Sequence, residues 1–270
     1  MRLENAWLVF SKDWNEIRHS RQLITPVILM PLVMVVILPL VAIQIPLSMS
    51  SQTSFQSSGA IIELPFEISS LTAGMTNVQA FVYTMSTVFF APFTMLVPLI
   101  VASIISSDSF AGEKERKTIE ALLATPISDS EMLFGKILAS FIPTMLSTGI
   151  AFFAYATITD YLDYPLFGHL ILPNLTWMLI ILGLAPAFAI AATGLTVIIS
   201  VRVSGTREAQ QLSGLLVIPI IGVMFAQTSG VMILGTTSLV VLILIMCVVD
   251  YVIIRAGTRL FNREKILTKM

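Results

Sequence analysis

Residues 212–254 read LSGLLVIPIIGVMFAQTSGVMILGTTSLVVLILIMCVVDYVII, with Asp250 as the one charge in the run. A helix rises about 1.5 Å per residue, so a run of this length reaches roughly 64 Å, about twice the ~30 Å hydrocarbon core of a bilayer. Arg207 precedes it and Arg255 follows it. Basic residues collect on the inner side of a membrane, so both ends belong on one side and the number of crossings is even. The break belongs near Gln227-Thr-Ser-Gly230, which gives crossings over 212–227 and 232–254.

Four further apolar runs precede this one: Ile24–Ile45, Phe81–Ile105, Ile137–Thr157 and Leu175–Ser200. Each has the length of a single crossing. The expected fold is an all-α integral membrane protein with six transmembrane helices, a single transmembrane domain over residues 1–270. The basic residues support this order. They fall at Arg2, Lys12, Arg18 and Arg21, at Lys114, Arg116, Lys117 and Lys136, at Arg202 and Arg207, and from Arg255 to Lys269. The polar segments 46–80 and 158–174 carry none. Both termini are therefore expected in the cytoplasm, with the tail 255–270 inside; the expected location is the plasma membrane.

Composition agrees. Charged residues make up 11% of the chain, against about 25% in soluble domains. The net charge of −1 gives no electrostatic footprint for nucleic acid. Cys247 is the only cysteine, which excludes an intrachain disulfide. The first 22 residues are charged and amphipathic, unlike a signal peptide.

Residues 3–20 predict an amphipathic helix lying at the cytoplasmic interface. Leu3, Ala6, Trp7, Phe10, Trp14 and Ile17 recur at helical spacing and form its apolar stripe, with Lys12, Asp13, Glu16 and Arg18 outside it. Trp7, Phe10 and Trp14 are the aromatic anchors toward membrane lipid.

The cytoplasmic segment 106–136 is the most specific part of the chain. Ile119, Leu122 and Leu123 form an apolar triplet on a short helix that Thr125-Pro126 ends. Ser128 and Glu131 have the S-x-x-E spacing of a capping box for the next helix. The mixed charges Glu113, Lys114, Glu115, Arg116, Lys117 and Glu120 flank this small apolar patch, a composition that suits docking to another protein and equally a solvated loop.

The stretch Gly112-Glu-Lys-Glu-Arg-Lys-Thr-Ile-Glu-Ala-Leu-Leu-Ala-Thr-Pro-Ile-Ser128, followed by Gly135-Lys136, resembles the signature of the membrane subunits of type-2 ATP-binding-cassette exporters. Lys117 stands where that signature commonly has glycine. Thr206-Arg-Glu-Ala-Gln-Gln-Leu212 leading into Pro219 is similar to the family's approach to its fifth helix.

The resemblance implies a permease that exports an unidentified substrate, paired as a homodimer and bound to two cytoplasmic ATPase subunits. ATP and magnesium would sit on those partners, with no cofactor or metal on this chain. The chain carries no G-x-x-x-x-G-K-[ST] phosphate loop, and Gly135-Lys136 lacks its preceding glycine. By the same resemblance, residues 106–136 hold the coupling helix. Gly112, Glu113, Lys114, Glu115, Arg116, Thr118, Glu120, Leu122, Leu123, Thr125, Pro126 and Ile127 are its expected contacts to the ATPase.

Three other classes compete. An ion-coupled transporter or channel calls for carboxylates at mid-membrane or a charged pore ring, and no run has an acid near its centre. Asp250 lies close to the cytoplasmic end of the last helix, beside Arg255. An intramembrane enzyme calls for a motif such as H-E-x-x-H or G-x-S-x-G, which the chain lacks. His19 and His169 fall on opposite faces. A scaffold subunit that docks an ATPase without transporting is the third.

Overall fold

The computed structural model describes residues 3–44, 71–118, 125, 127–200, 202–203, 205–228 and 235–260. Its described elements are helical. An amphipathic helix α1 (Leu3–His19) turns at Ser20 into α2 (Arg21–Pro39), which a π-helical turn extends to Gln44. Then follow α3 (Asn77–Glu115), α4 (Asp129–Phe167), α5 (Leu175–Ser200), α6 (Thr206–Gln227) and α7 (Thr236–Leu260). Among the described residues, helices α2 to α7 are the six long and apolar enough to cross a membrane.

Two helices overrun their apolar runs. Expected to end at Ile105, α3 continues through the charged residues to Glu115, so residues 106–115 are helix and not loop. Expected over 137–157, α4 spans 39 residues and absorbs most of the polar segment 158–174. Hydropathy marks where a chain meets lipid, whereas helices end where the backbone is capped. Here the stops are Lys117 and Gly168, both at positive φ. The Ser128–Glu131 capping box forms as expected.

Helices α3 and α5 are the most enclosed, and α6 and α7 the least. In lipid, helices gain little from apolar burial against one another, so close packing and polar contacts decide their association. Glycine provides one such approach. Gly183 and Gly194, three turns apart on α5, both face α7, where an added Cβ would lie 2.5 Å from Ile243 Cδ1 and 2.4 Å from Ile253 Cγ2. Gly222 faces open space.

Prolines provide the other. Pro31 has no N–H, so the Val27 carbonyl loses its intrahelical donor, and Ser147 Oγ of α4 donates to it at 2.9 Å. Pro92 does the same within α3, which is π-helical over Thr84–Phe89 just before it. Three successive carbonyls there accept from three neighbouring helices. Tyr155 Oη donates to Ser86 at 2.8 Å, Trp177 Nε1 to Thr87 at 3.0 Å, and Gln227 Nε2 to Val88 at 3.4 Å. Backbone groups that lipid would leave unsatisfied thus become links between α3 and helices α4, α5 and α6.

Candidate coupling site at the basic end of the bundle

Helix α1 lies along the first turns of α4. Its inward face is Ala6, Val9, Phe10, Asp13 and Ile17. Two residues depart from the expected stripe: Phe10, expected as a lipid anchor, and Asp13, expected on the polar face, both turn inward and are buried, while Leu3 and Trp7 are exposed and Trp14 is half-buried. Gly135 permits the approach, since a Cβ there would lie 2.5 Å from the Ala6 carbonyl oxygen and 2.8 Å from Val9 Cβ. Asn5 Nδ2 donates to Glu131 Oε2 at 3.0 Å, tying α1 to the capping box of α4.

Beyond Gly135 stands Lys136, whose side chain is 1% exposed. Its ammonium contacts Glu113 Oε2 at 2.7 Å and Asp13 Oδ2 at 3.5 Å. It donates to the Ser109 carbonyl at 2.5 Å and lies 5.2 Å from the centre of the Phe110 ring. Ser109 Oγ in turn donates to Asp13 Oδ2 at 2.6 Å. An isolated ammonium in such a place would lose several kcal/mol of hydration (order ~5) unless its charge and donors were met. Here two carboxylates and a carbonyl meet them.

Toward solvent the network continues. Lys12 pairs with Glu113 Oε1, with Asp13 Oδ1 at 3.2 Å and with Glu16 Oε2 at 3.6 Å. Burial pulls the Lys12 ammonium down, but the charges of Asp13 and Glu113 outweigh it and hold the group above the ordinary lysine value. The acids Asp13, Glu16 and Glu113 converge closely enough to suggest a cation site, and the Lys12 ammonium supplies the positive charge there. Arg116 bonds Asp108 Oδ1 at 3.0 Å and Glu16 Oε1 at 3.0 Å. The Asp108 bond is the main reason its guanidinium is held above its usual value.

The end of α3 also holds the α5–α6 connection. Lys114 Nζ donates to the Val203 carbonyl at 3.0 Å. Glu115 Oε2 accepts from the Thr206 N–H at 3.1 Å and its hydroxyl at 3.2 Å, placing a carboxylate at the N-terminus of α6. Gly112 keeps this corner tight, because a Cβ would lie 2.8 Å from Asp108 Oδ1 and 3.0 Å from Thr206 Cγ2.

Then α3 stops. The Thr118 N–H bonds the Glu113 carbonyl at 2.9 Å and the Lys117 N–H bonds that of Lys114 at 3.1 Å. This is the Schellman pattern, with Lys117 at φ 58° in the position that favours glycine.

The residues expected to contact a partner therefore divide. Glu115, Arg116 and Thr118 are exposed and Lys114 is half-buried. Glu113 is 2% exposed. It presents no free surface, because its carboxylate is spent on Lys12 and Lys136. Ile127 packs inward against Phe110, Met132, Leu133 and Val197, and Thr125 is half-buried. Glu120, Leu122, Leu123 and Pro126, and with them the expected short helix, lie outside the described residues.

Sequence reading missed Lys12, Asp13, Ser109 and Lys136 as a network. One signal was available: Ala6, Phe10, Asp13 and Ile17 follow the four-three-four spacing of a single helix face. Two further acids sit apart from the network. Asp163 is fully buried with no partner for either oxygen among the described residues, and Asp250 Oδ1 is likewise buried and unpartnered. Arg255 bonds the Tyr251 hydroxyl at 2.9 Å. Cys247 is exposed on α7.

A family model described as ABC-2 family transporter protein matches residues 7–240. No curated protein matches the chain.

Proposed function

Since the chain belongs to the ABC-2 family of transporter proteins, and is thereby the non-catalytic, multi-pass membrane component of an ABC transporter with an associated ABC ATPase, we propose that it is the permease of an ATP-driven exporter in the plasma membrane. Its basic end then faces the cytoplasm, as the distribution of Lys and Arg supports. ATP and magnesium belong to the partner ATPase, and two copies of this chain form the pore.

The carrying observation is the arrangement around Glu113 and Lys136. The segment after Lys117, with Glu120, Leu122, Leu123 and Pro126, is the docking surface offered to the ATPase, together with Lys114, Glu115, Arg116 and Thr118 beside it. Glu113 acts behind that surface. Its bonds to Lys136 and Lys12 tie α3 to α4 and α1, and Glu115 ties α3 to α6. A push delivered to the turn at Lys117 would therefore reach α1, α3, α4 and α6 together, through groups too costly to separate.

Docking and transmission can be told apart. In co-purification from mild detergent, Leu122→Ala with Glu120→Lys should lose the ATPase. Lys136→Met should keep it bound while transport-linked stimulation of ATP hydrolysis falls. An ATPase that co-elutes undiminished with the Leu122 and Glu120 variant would overturn the docking assignment. Unchanged stimulation in a folded Lys136→Met permease would overturn the transmission role.

A further inference from the structure

Between α2 and α4 lies an apolar groove of about 330 Å³. Ile28, Pro31 and Leu32 form one wall and Leu146, Ser147 and Ile150 the other, with Trp14 of α1 at the basic end. Ile28, Leu146 and Ile150 are all more than half exposed, so the groove is open to the surrounding lipid. The hydroxyl on its wall, Ser147 Oγ, is already donated to the Val27 carbonyl. The groove therefore has an affinity for hydrocarbon and little for a polar solute.

Helical spacing places two arginines toward its basic end. Arg21 precedes Ile28 by seven residues, hence on the same helix face and about 10 Å nearer the headgroups. Arg18 follows Trp14 by four residues, on the same side of α1. Both are exposed, and neither forms an ion pair among the described residues. The other basic side chains of this corner, Lys12, Arg116 and Lys136, are all taken by carboxylates.

We propose that groove and arginines form one binding site for an anionic phospholipid of the adjoining leaflet. An acyl chain lies along α2 and α4, and the phosphate sits between Arg18 and Arg21. The guanidinium pair matches phosphate oxygens in geometry as well as charge. The site requires only that the helices span a bilayer and is independent of the transport reading. A lipid held there bridges α1 to the α2–α4 pair, the same helix that Lys12 and Asp13 tie to the network.

Trp14 reports occupancy. The full chain is reconstituted in nanodiscs of phosphatidylcholine, with increasing fractions of phosphatidylglycerol whose acyl chains are brominated. The Trp14 signal is isolated by subtracting the Trp14→Phe variant. Quenching should saturate at a mole fraction roughly ten- to thirty-fold lower for brominated phosphatidylglycerol than for brominated phosphatidylcholine, the preference expected of two interfacial arginines. Arg18→Gln with Arg21→Gln should abolish the preference without affecting folding, since both side chains are exposed. Ala154→Leu, which fills the groove, should lower quenching by both lipids. Equal titration curves for the two lipids in the unaltered protein would overturn the site, as would an anionic preference that survives loss of both arginines.

Discussion

Lys136 of α4 and Glu113 of α3 meet at 2.7 Å with both side chains almost wholly enclosed. Removing one member takes from a buried charge its nearest counter-charge, leaving Glu113 with Lys12 alone or Lys136 with Asp13 at 3.5 Å, at a cost near the lower end of the ~3–5 kcal/mol for a broken buried pair. Lys136→Met should lower the thermal midpoint of the detergent-solubilised protein steeply, and Glu113→Gln should do likewise. Combining the two should cost clearly less than the sum of the single losses, because neither charge of the pair then remains to be compensated. Strictly additive losses would show that the two groups are not energetically coupled.

The Lys12 bridge makes a separate prediction about pH. A lysine held above its ordinary value of 10.5 contributes stability that is fully present below that value and is lost only as pH rises through the higher folded value. The thermal midpoint should therefore show no loss from this group between about pH 6 and 9. Lys12→Met should lower the midpoint by a constant amount across that window. A difference that shrinks within it would contradict the assigned charge state.

Lys117 predicts a gain. At φ 58° a residue with a Cβ is strained by about 1 kcal/mol relative to glycine. Lys117→Gly should raise the midpoint by a few degrees, whereas Lys117→Val should lower it, since a β-branched residue tolerates this conformation worst. A neutral result for both substitutions would mean that the turn is not held in this form.

How far the sequence discloses this architecture depends on which physical signal each part leaves. The number of crossings follows from apolar length and the placement of basic residues, both properties of consecutive residues. The ends of α3 and α4 do not, because Glu113, Lys114 and Glu115 are good helix formers that leave lipid without leaving the helix. Gly168 was a readable stop, whereas a lysine by its own type signals none at position 117; only the resemblance, with glycine common there, pointed to the turn that the backbone shows. The network is the least legible part. Asp13 and Lys136 are brought together by packing of α1 on α4, and no periodicity connects residues so far apart in the chain.

Gly135 and Gly183 predict different penalties from similar distances. At Gly135 an added methyl meets the Ala6 carbonyl oxygen, part of a helix backbone, at 2.5 Å. At Gly183 it meets Ile243 Cδ1, the end of a flexible side chain, at the same distance. Gly135→Ala should displace α1 and disrupt the ion network, with a cost at the upper end of the ~1–3 kcal/mol range for overpacking. Gly183→Ala should cost less and be rescued by Ile243→Val. Gly222→Ala, in open space, is the control and should be close to neutral. The three thermal midpoints should rank in that order, and a Gly135→Ala protein as stable as the control would remove the close approach of α1 to α4.

The break in α3 predicts a coupling between Pro92 and Gln227. Pro92 leaves the Val88 carbonyl without an intrahelical donor, and Gln227 Nε2 reaches it at 3.4 Å, the longest of the three bonds to this region. Gln227→Leu should destabilise by roughly 0.6–1.7 kcal/mol, the range of interhelical hydrogen bonds in membranes. Pro92→Ala restores an N–H to the helix, which can then serve the Val88 carbonyl directly. In that background Gln227→Leu should cost almost nothing. The double-mutant cycle thus has a predicted sign: the two changes together cost less than their sum. A zero interaction energy would mean that Gln227 holds α6 against α3 for some reason other than the carbonyl that Pro92 sets free.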